Sequence, residues 1–108
     1  MRRSEVYWVD FEPSVGGEIR KTRPAVIVSN NAANRAMNRT LVVPLTTKVS
    51  RVYAGEALVE FNGQTRKAMA DQLTTVSKIR FKNLIGSLSA EDMGKVERAI
   101  LEQLGISR

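Results

Sequence analysis

The chain contains neither cysteine nor histidine, which excludes disulfides, thiolate nucleophiles and imidazole acid–base chemistry. A chain without cysteine also suits a reducing compartment. No apolar run is long enough to cross a bilayer, and Met1-Arg2-Arg3 leads into Ser4-Glu5-Val6-Tyr7 rather than a signal-peptide core. A cytoplasmic protein with no membrane partner is therefore expected. There is no Walker-type glycine loop, and the carboxylates are scattered without metal-ligand spacing, so no metal and no cofactor is expected. The most telling shortage is local: from Ile19 to Gly55 there is no Asp or Glu, while Arg20, Lys21, Arg23, Arg35, Arg39, Lys48 and Arg51 supply seven cations.

What is present fits one small domain spanning residues 1–108, because 108 residues with 43% hydrophobic content build one compact core and not two. A domain this small that also presents a functional face gains stability by pairing with a second copy, so a homodimer is the expected assembly. The net charge of +6 points to a polyanionic partner, either nucleic acid or an acidic protein.

Several short apolar runs separated by turn residues predict a mainly β protein, a small barrel of short strands closed by a C-terminal α-helix. Strands are expected over Val6–Phe11, Ala25–Ser29, Leu41–Leu45, Ala57–Phe61, Gln64–Ala70 and Leu84–Leu88, with Asn62-Gly63 as a hairpin turn. The polar Asn30–Arg35 segment breaks the second strand through one helical turn, and Pro44 marks a sheet edge or a bulge. Ser89 and Asp92 have capping-box spacing, Met93, Val96, Ile100 and Leu104 form an apolar stripe, and Gly105 is a natural terminator. That stripe predicts packing against the barrel.

Without histidine, cysteine or a metal cluster, the remaining arginines, threonines and single carboxylates suit one reaction well: RNA cleavage, in which the substrate's 2′-hydroxyl is the nucleophile. Arg23 precedes Pro24, which pushes it toward extended backbone at the mouth of an apolar strand, a good place to hold a phosphate. Lone surface cations and strand threonines are common, so these residues gain weight only from their context.

That context is a resemblance. Arg3–Val9, the block from Gly17-Glu18 through Thr22-Arg23-Pro24 to Asn30, Val42-Val43-Pro44-Leu45-Thr46-Thr47, and Asp71-Gln72-Leu73-Thr74-Thr75-Val76 resemble the MazF/PemK/Kid toxin family, in order and with sensible spacing. The resemblance implies a CcdB-like, SH3-type barrel, a homodimer, and a type II toxin that cleaves single-stranded RNA without metal, blocked by a cognate antitoxin with an acidic disordered segment. By position it implies that Arg23 and Thr46 are catalytic and that Glu18 or Asp71 is the base. Gly17 stands where the Kid branch has its loop histidine, and Met69 where it has an arginine. Guanidinium holds its proton firmly, so Arg23 is a transition-state clamp rather than an acid. Arg20, Lys21, Thr47, Lys48, Arg51 and Tyr53 are expected to bind RNA, with Tyr53 stacking on a base and Gln72 reading a base edge. Trp8 and Phe11 are expected in the core. A gyrase-binding toxin of the CcdB type and a basic RNA-binding module that does not cut are the alternatives.

Overall fold

The computed structural model describes residues 1–107. Seven strands run β1 (Glu5–Asp10), β2 (Thr22–Ile27), β3 (Arg39–Thr46), β4 (Glu56–Phe61), β5 (Gln64–Met69), β6 (Thr74–Ser77) and β7 (Phe81–Ser87). Two helices accompany them, α1 (Asn31–Ala36) and the longer α2 (Ala90–Leu104). The strands are ordered β4-β5-β3-β2-β1-β7, every pairing is antiparallel, and β6 adds to β3. Among the described residues, no helix is long and apolar enough to cross a membrane.

Strand β3 organises the sheet. One of its edges pairs with β2 through Val42–Pro44, while its other edge takes β6 over Arg39–Val42 and β5 over Leu45–Thr46. The ladder between β2 and β3 stops at Ala25↔Pro44, because Pro24 lacks the N–H that would continue it toward Leu45. Pro44, expected at a sheet edge or a bulge, lies instead inside the central strand β3, paired with Ala25. On the other edge it falls between the β6 pair Val42↔Thr74 and the β5 pair Leu45↔Ala68, where no ladder bond needs its N–H.

The sheet curls into a small barrel around two apolar clusters. Val6, Val26, Val43, Leu45, Val59, Phe61, Met93 and Val96 form the larger one, beneath α2. Val9, Phe11, Ala25, Ile27, Val42 and Val76 form the other, on the opposite face of β2 and β3. Tyr7 packs against this second cluster and meets Phe81 edge-on at 5.4 Å. Burial and then its hydrogen bond to Glu5 push the Tyr7 phenol above its ordinary pKa, so the ring stays neutral.

Local chemistry sets these elements. Asn62 and Gly63 both have positive φ, 51° and 74°, the geometry of a tight two-residue turn, and they fix the β4–β5 register from Phe61↔Gln64 onward. The Asn30 side chain caps α1 by accepting from Ala33 N. Ser89 caps α2, accepting from Asp92 N at 3.1 Å, and Gly105 ends it. The Asp92 carboxylate does not close the box; it reaches across to accept from Glu60 N at 2.9 Å on the edge of β4. On the helix stripe Met93 and Val96 are buried, whereas Leu104 is exposed and Ala99 is buried instead.

The barrel closes where Phe61, at the end of β4, lies against Gly86 of β7. A Cβ at Gly86 would stand 2.8 Å from the Phe61 ring, and Gly86 itself has φ +154°. Gly86→Ala is therefore expected to destabilise the fold by about 1–3 kcal/mol through overpacking, measured as a lowered midpoint in urea denaturation.

Candidate active site

Continuing the β2–β3 register by two residues past Ala25↔Pro44 sets Arg23 opposite Thr46. Both side chains share the face of Ala25, Ile27 and Val42, the face of the second apolar cluster. Arg23 also pairs with Val9 of β1, so its backbone is fixed from the other side. Its Nε donates to Arg20 O at 3.0 Å, which leaves both terminal nitrogens free of that bond. Thr46 is buried at 7% exposure, and its hydroxyl oxygen accepts from Lys48 N at 3.2 Å. The hydroxyl hydrogen is thereby left to be donated elsewhere. Thr47, just past the end of β3, is exposed.

The carboxylates arrive from two other segments. A 3-10 turn, Ala70–Gln72, links β5 to β6 along the same edge of β3, and it carries Asp71 and Gln72 between the pairs Leu45↔Ala68 and Val42↔Thr74. The β1–β2 loop carries Glu18. Glu18, Asp71 and Gln72 line one cleft of ≈ 450 Å³, whose apolar wall includes Phe11, Ile19 and Val76. Phe11 and Val76 are buried and belong to the second cluster, against which Ile19 packs, so the cleft adjoins the face bearing Arg23 and Thr46. Glu18 and Asp71 are both exposed; Glu18 Oε1 accepts from Val15 N at 2.8 Å.

Gln72 takes a part that its sequence context does not suggest. Its Oε1 accepts from Ile19 N and its Nε2 donates to Gly17 O, each at 3.2 Å, so both ends of the amide are engaged by loop backbone.

Arg20, Lys21, Lys48 and Arg51 are exposed at this end of the barrel. Arg51 donates to Tyr53 Oη at 3.1 Å and lies 6.0 Å from the centre of its ring, and Tyr53 is 58% exposed. Arg35 and Arg39 stand apart: Arg39 begins β3, seven residues and about 23 Å of strand from Thr46. The carboxylate-free stretch thus divides between two ends of the barrel. Phe11 is buried as expected, but Trp8 is 36% exposed and lies outside both clusters.

Sequence reasoning missed Lys67 and Arg80. Lys67 sits directly across from Thr46, pairs with Glu56 at 3.3 Å, and donates to Arg51 O at 3.1 Å. Glu56 in turn accepts from Tyr53 N at 2.9 Å, so this largely buried ion pair anchors the loop that presents Arg51 and Tyr53. The signal was available: the Asn62-Gly63 register makes Leu58↔Lys67 a pair and puts Glu56 diagonally beside Lys67. The Arg80 guanidinium donates to the Glu12 and Asp10 carbonyls at the neck of the β1–β2 loop, a long-range contact with no local signal.

The structure is thus a small antiparallel barrel with a basic rim, a guanidinium set across from a threonine hydroxyl by the strand register, and carboxylates in the adjoining cleft. Residues 2–104 match the family described as PemK-like, MazF-like toxin of type II toxin-antitoxin system, and the chain belongs to that family. Endoribonuclease MazF9 of Mycobacterium tuberculosis is 33% identical over 109 residues, covering 93% of this chain and 92% of that protein. Endoribonuclease MazF of Staphylococcus saprophyticus is 30% identical, covering 98% and 92%. Among solved structures, a mycobacterial endoribonuclease in complex with its cognate antitoxin superposes with a TM-score of 0.83 at 27% identity, over 100% of this chain and 98% of that one. MazF from Deinococcus radiodurans shares the fold, with a TM-score of 0.87 at 21% identity over 98% and 97% of the two chains.

Lys67→Met should leave Glu56 buried without its partner and cost about 2 kcal/mol, read as a lower urea midpoint. The double change Glu56→Leu with Lys67→Met should recover part of that loss, because it removes the unpaired charge.

Proposed function

We propose that this chain cleaves single-stranded RNA in the cytoplasm as the toxin of a toxin–antitoxin pair, without a metal ion. The observation that carries this reading is the β2–β3 register, which, continued two residues past Ala25↔Pro44, sets Arg23 across from Thr46, beside the cleft that Glu18 and Asp71 line. In the proposed reaction the substrate's 2′-oxygen bonds to phosphorus while its proton passes to Glu18 or Asp71. The bond from phosphorus to the 5′-oxygen breaks, and that oxygen takes up a proton, leaving a 2′,3′-cyclic phosphate and a 5′-hydroxyl. Arg23, its Nε already held by Arg20 O, turns two nitrogens toward the phosphate as a fork. The Thr46 hydroxyl, its oxygen occupied by Lys48 N, donates its hydrogen to a non-bridging oxygen as negative charge builds there.

Around this centre, Arg20, Lys21, Lys48 and Arg51 draw in the backbone, Thr47 adds a hydroxyl on the rim, and Tyr53 offers a ring for a base to stack on. A homodimer sets two such rims side by side, so that several nucleotides are read at once. The likeness to an endoribonuclease solved with its cognate antitoxin supports a matching partner here. An acidic segment of that partner suits the same rim, its carboxylates standing where RNA phosphates lie.

On a long unstructured RNA, activity should persist in EDTA and vanish on an all-deoxy substrate. Arg23→Ala and Thr46→Ala should each lower kcat about 100-fold or more with thermal melting unchanged, because each removes transition-state stabilisation. Arg23→Lys should also be poor, since a point charge does not replace a planar fork. Metal-dependent recovery of activity after EDTA, or near-normal turnover by folded Arg23→Ala, would defeat the mechanism. The acidic segment, added as a peptide, should raise KM for RNA and leave kcat unchanged; a fall in kcat at constant KM would place it elsewhere.

A further inference from the structure

The two backbone groups that Gln72 holds, Gly17 O and Ile19 N, flank Glu18 on either side. Its amide therefore grips Glu18's two neighbouring peptide groups much as a strand would, while Asp71 is Gln72's immediate neighbour in the 3-10 turn. We propose that Gln72 is a positioning residue that fixes the Glu18 loop against the Asp71 turn, rather than a reader of RNA bases. The proposal rests on the catalytic reading of Glu18 and Asp71 given above.

The rest of the loop explains why this one side chain matters. Its neck is fixed independently: Phe11 N donates to Lys21 O, Lys21 N donates to the Glu12 carboxylate at 2.7 Å, and Arg80 holds the Asp10 and Glu12 carbonyls. Lys21 is kept at φ 66°, a left-handed conformation that costs a non-glycine residue about 1 kcal/mol, so the neck is held against strain. The tip has no such support. Glu18 N with Val15 O, and Val15 N with Glu18 Oε1, are bonds internal to the tip, and a Cβ at Gly16 or Gly17 would meet nothing within 4 Å. Among the described residues, both hydrogen bonds that tie residues 13–19 to the body of the protein come from Gln72. Ile19 packs on the second cluster and supplies the apolar half of the attachment. A carboxylate required as a base must stand at a defined distance from the 2′-oxygen, and a tip pivoting on Ile19 alone would not keep it there.

Two variants test the proposal. Gln72→Leu keeps the bulk and deletes both bonds; Gln72→Glu keeps an acceptor for Ile19 N but sets a carboxylate against the Gly17 carbonyl. Amide exchange at Ile19 should quicken about tenfold or more in Gln72→Leu, with exchange in β3 unchanged. On RNA, kcat should fall roughly tenfold while KM and the mapped cut sites stay as in the wild type, with Gln72→Glu intermediate in both measurements. Altered cut sites or a raised KM, with Ile19 exchange unchanged, would make Gln72 a base reader and overturn the proposal. Faster exchange with undiminished kcat would overturn it too, reducing the clasp to scaffolding. If the wild-type protein cut no RNA, the catalytic reading would fail, and with it any positioning role. Ile19 exchange would still show whether the clasp itself exists.

Discussion

The arrangement depends on one strand having partners it cannot keep along its whole length. Strand β3 must serve β2 on one edge and both β5 and β6 on the other, and Pro24 removes the amide hydrogen where its ladder with β2 would continue. Past that point the backbones of Arg23 and Thr46 are each held by another strand, β1 and β5, and not by one another. The result is a gap between two rigid supports, with a guanidinium on one side and a hydroxyl on the other.

The same gap explains how charge is distributed. Arg20, Lys21, Lys48 and Arg51 come to the gap from the β2 entrance and the β3–β4 loop, Arg35 and Arg39 stand apart from it, and Glu18 and Asp71 line the adjoining cleft. These carboxylates and cations thus occupy adjoining surfaces, and no ion pair joins them among the described residues. Glu18 is occupied by Val15 N, and the described ion pairs join other residues, Arg3 with Glu97, Lys67 with Glu56 and Lys95 with Asp92.

Much of this was legible in the residues. Asn62-Gly63 encodes a turn because both positions adopt positive φ, and Ser89 and Gly105 mark the ends of α2 because unpaired helix groups need a hydroxyl oxygen or a left-handed stop. Strand β6 was not legible: Thr74–Ser77 is short and largely polar, and it is a strand because β3 offers it an edge. The residues that make up the candidate site were visible from their motifs, but their relations were not. That Arg23 faces Thr46 follows from a register across 23 residues of separation, and the use of Gln72 as a clasp depends on a loop 53 and 55 residues away along the chain. Trp8 was misplaced because an aromatic residue in an apolar strand reads as core whichever side of the sheet it faces.

The ion pairs also set how many mobile ions this surface holds. Three of the cations are already matched by carboxylates, and Lys78 and Arg80 are bonded to backbone carbonyls, so the formal charge of +6 says little about the local atmosphere. Among the described residues, Arg20, Lys21, Lys48 and Arg51 stand without a carboxylate or backbone carbonyl partner, so their field is the least compensated on this rim. For a polyanion bound there as proposed, the slope of log affinity against log salt would follow the number of phosphates that rim neutralises rather than the net charge of the whole chain.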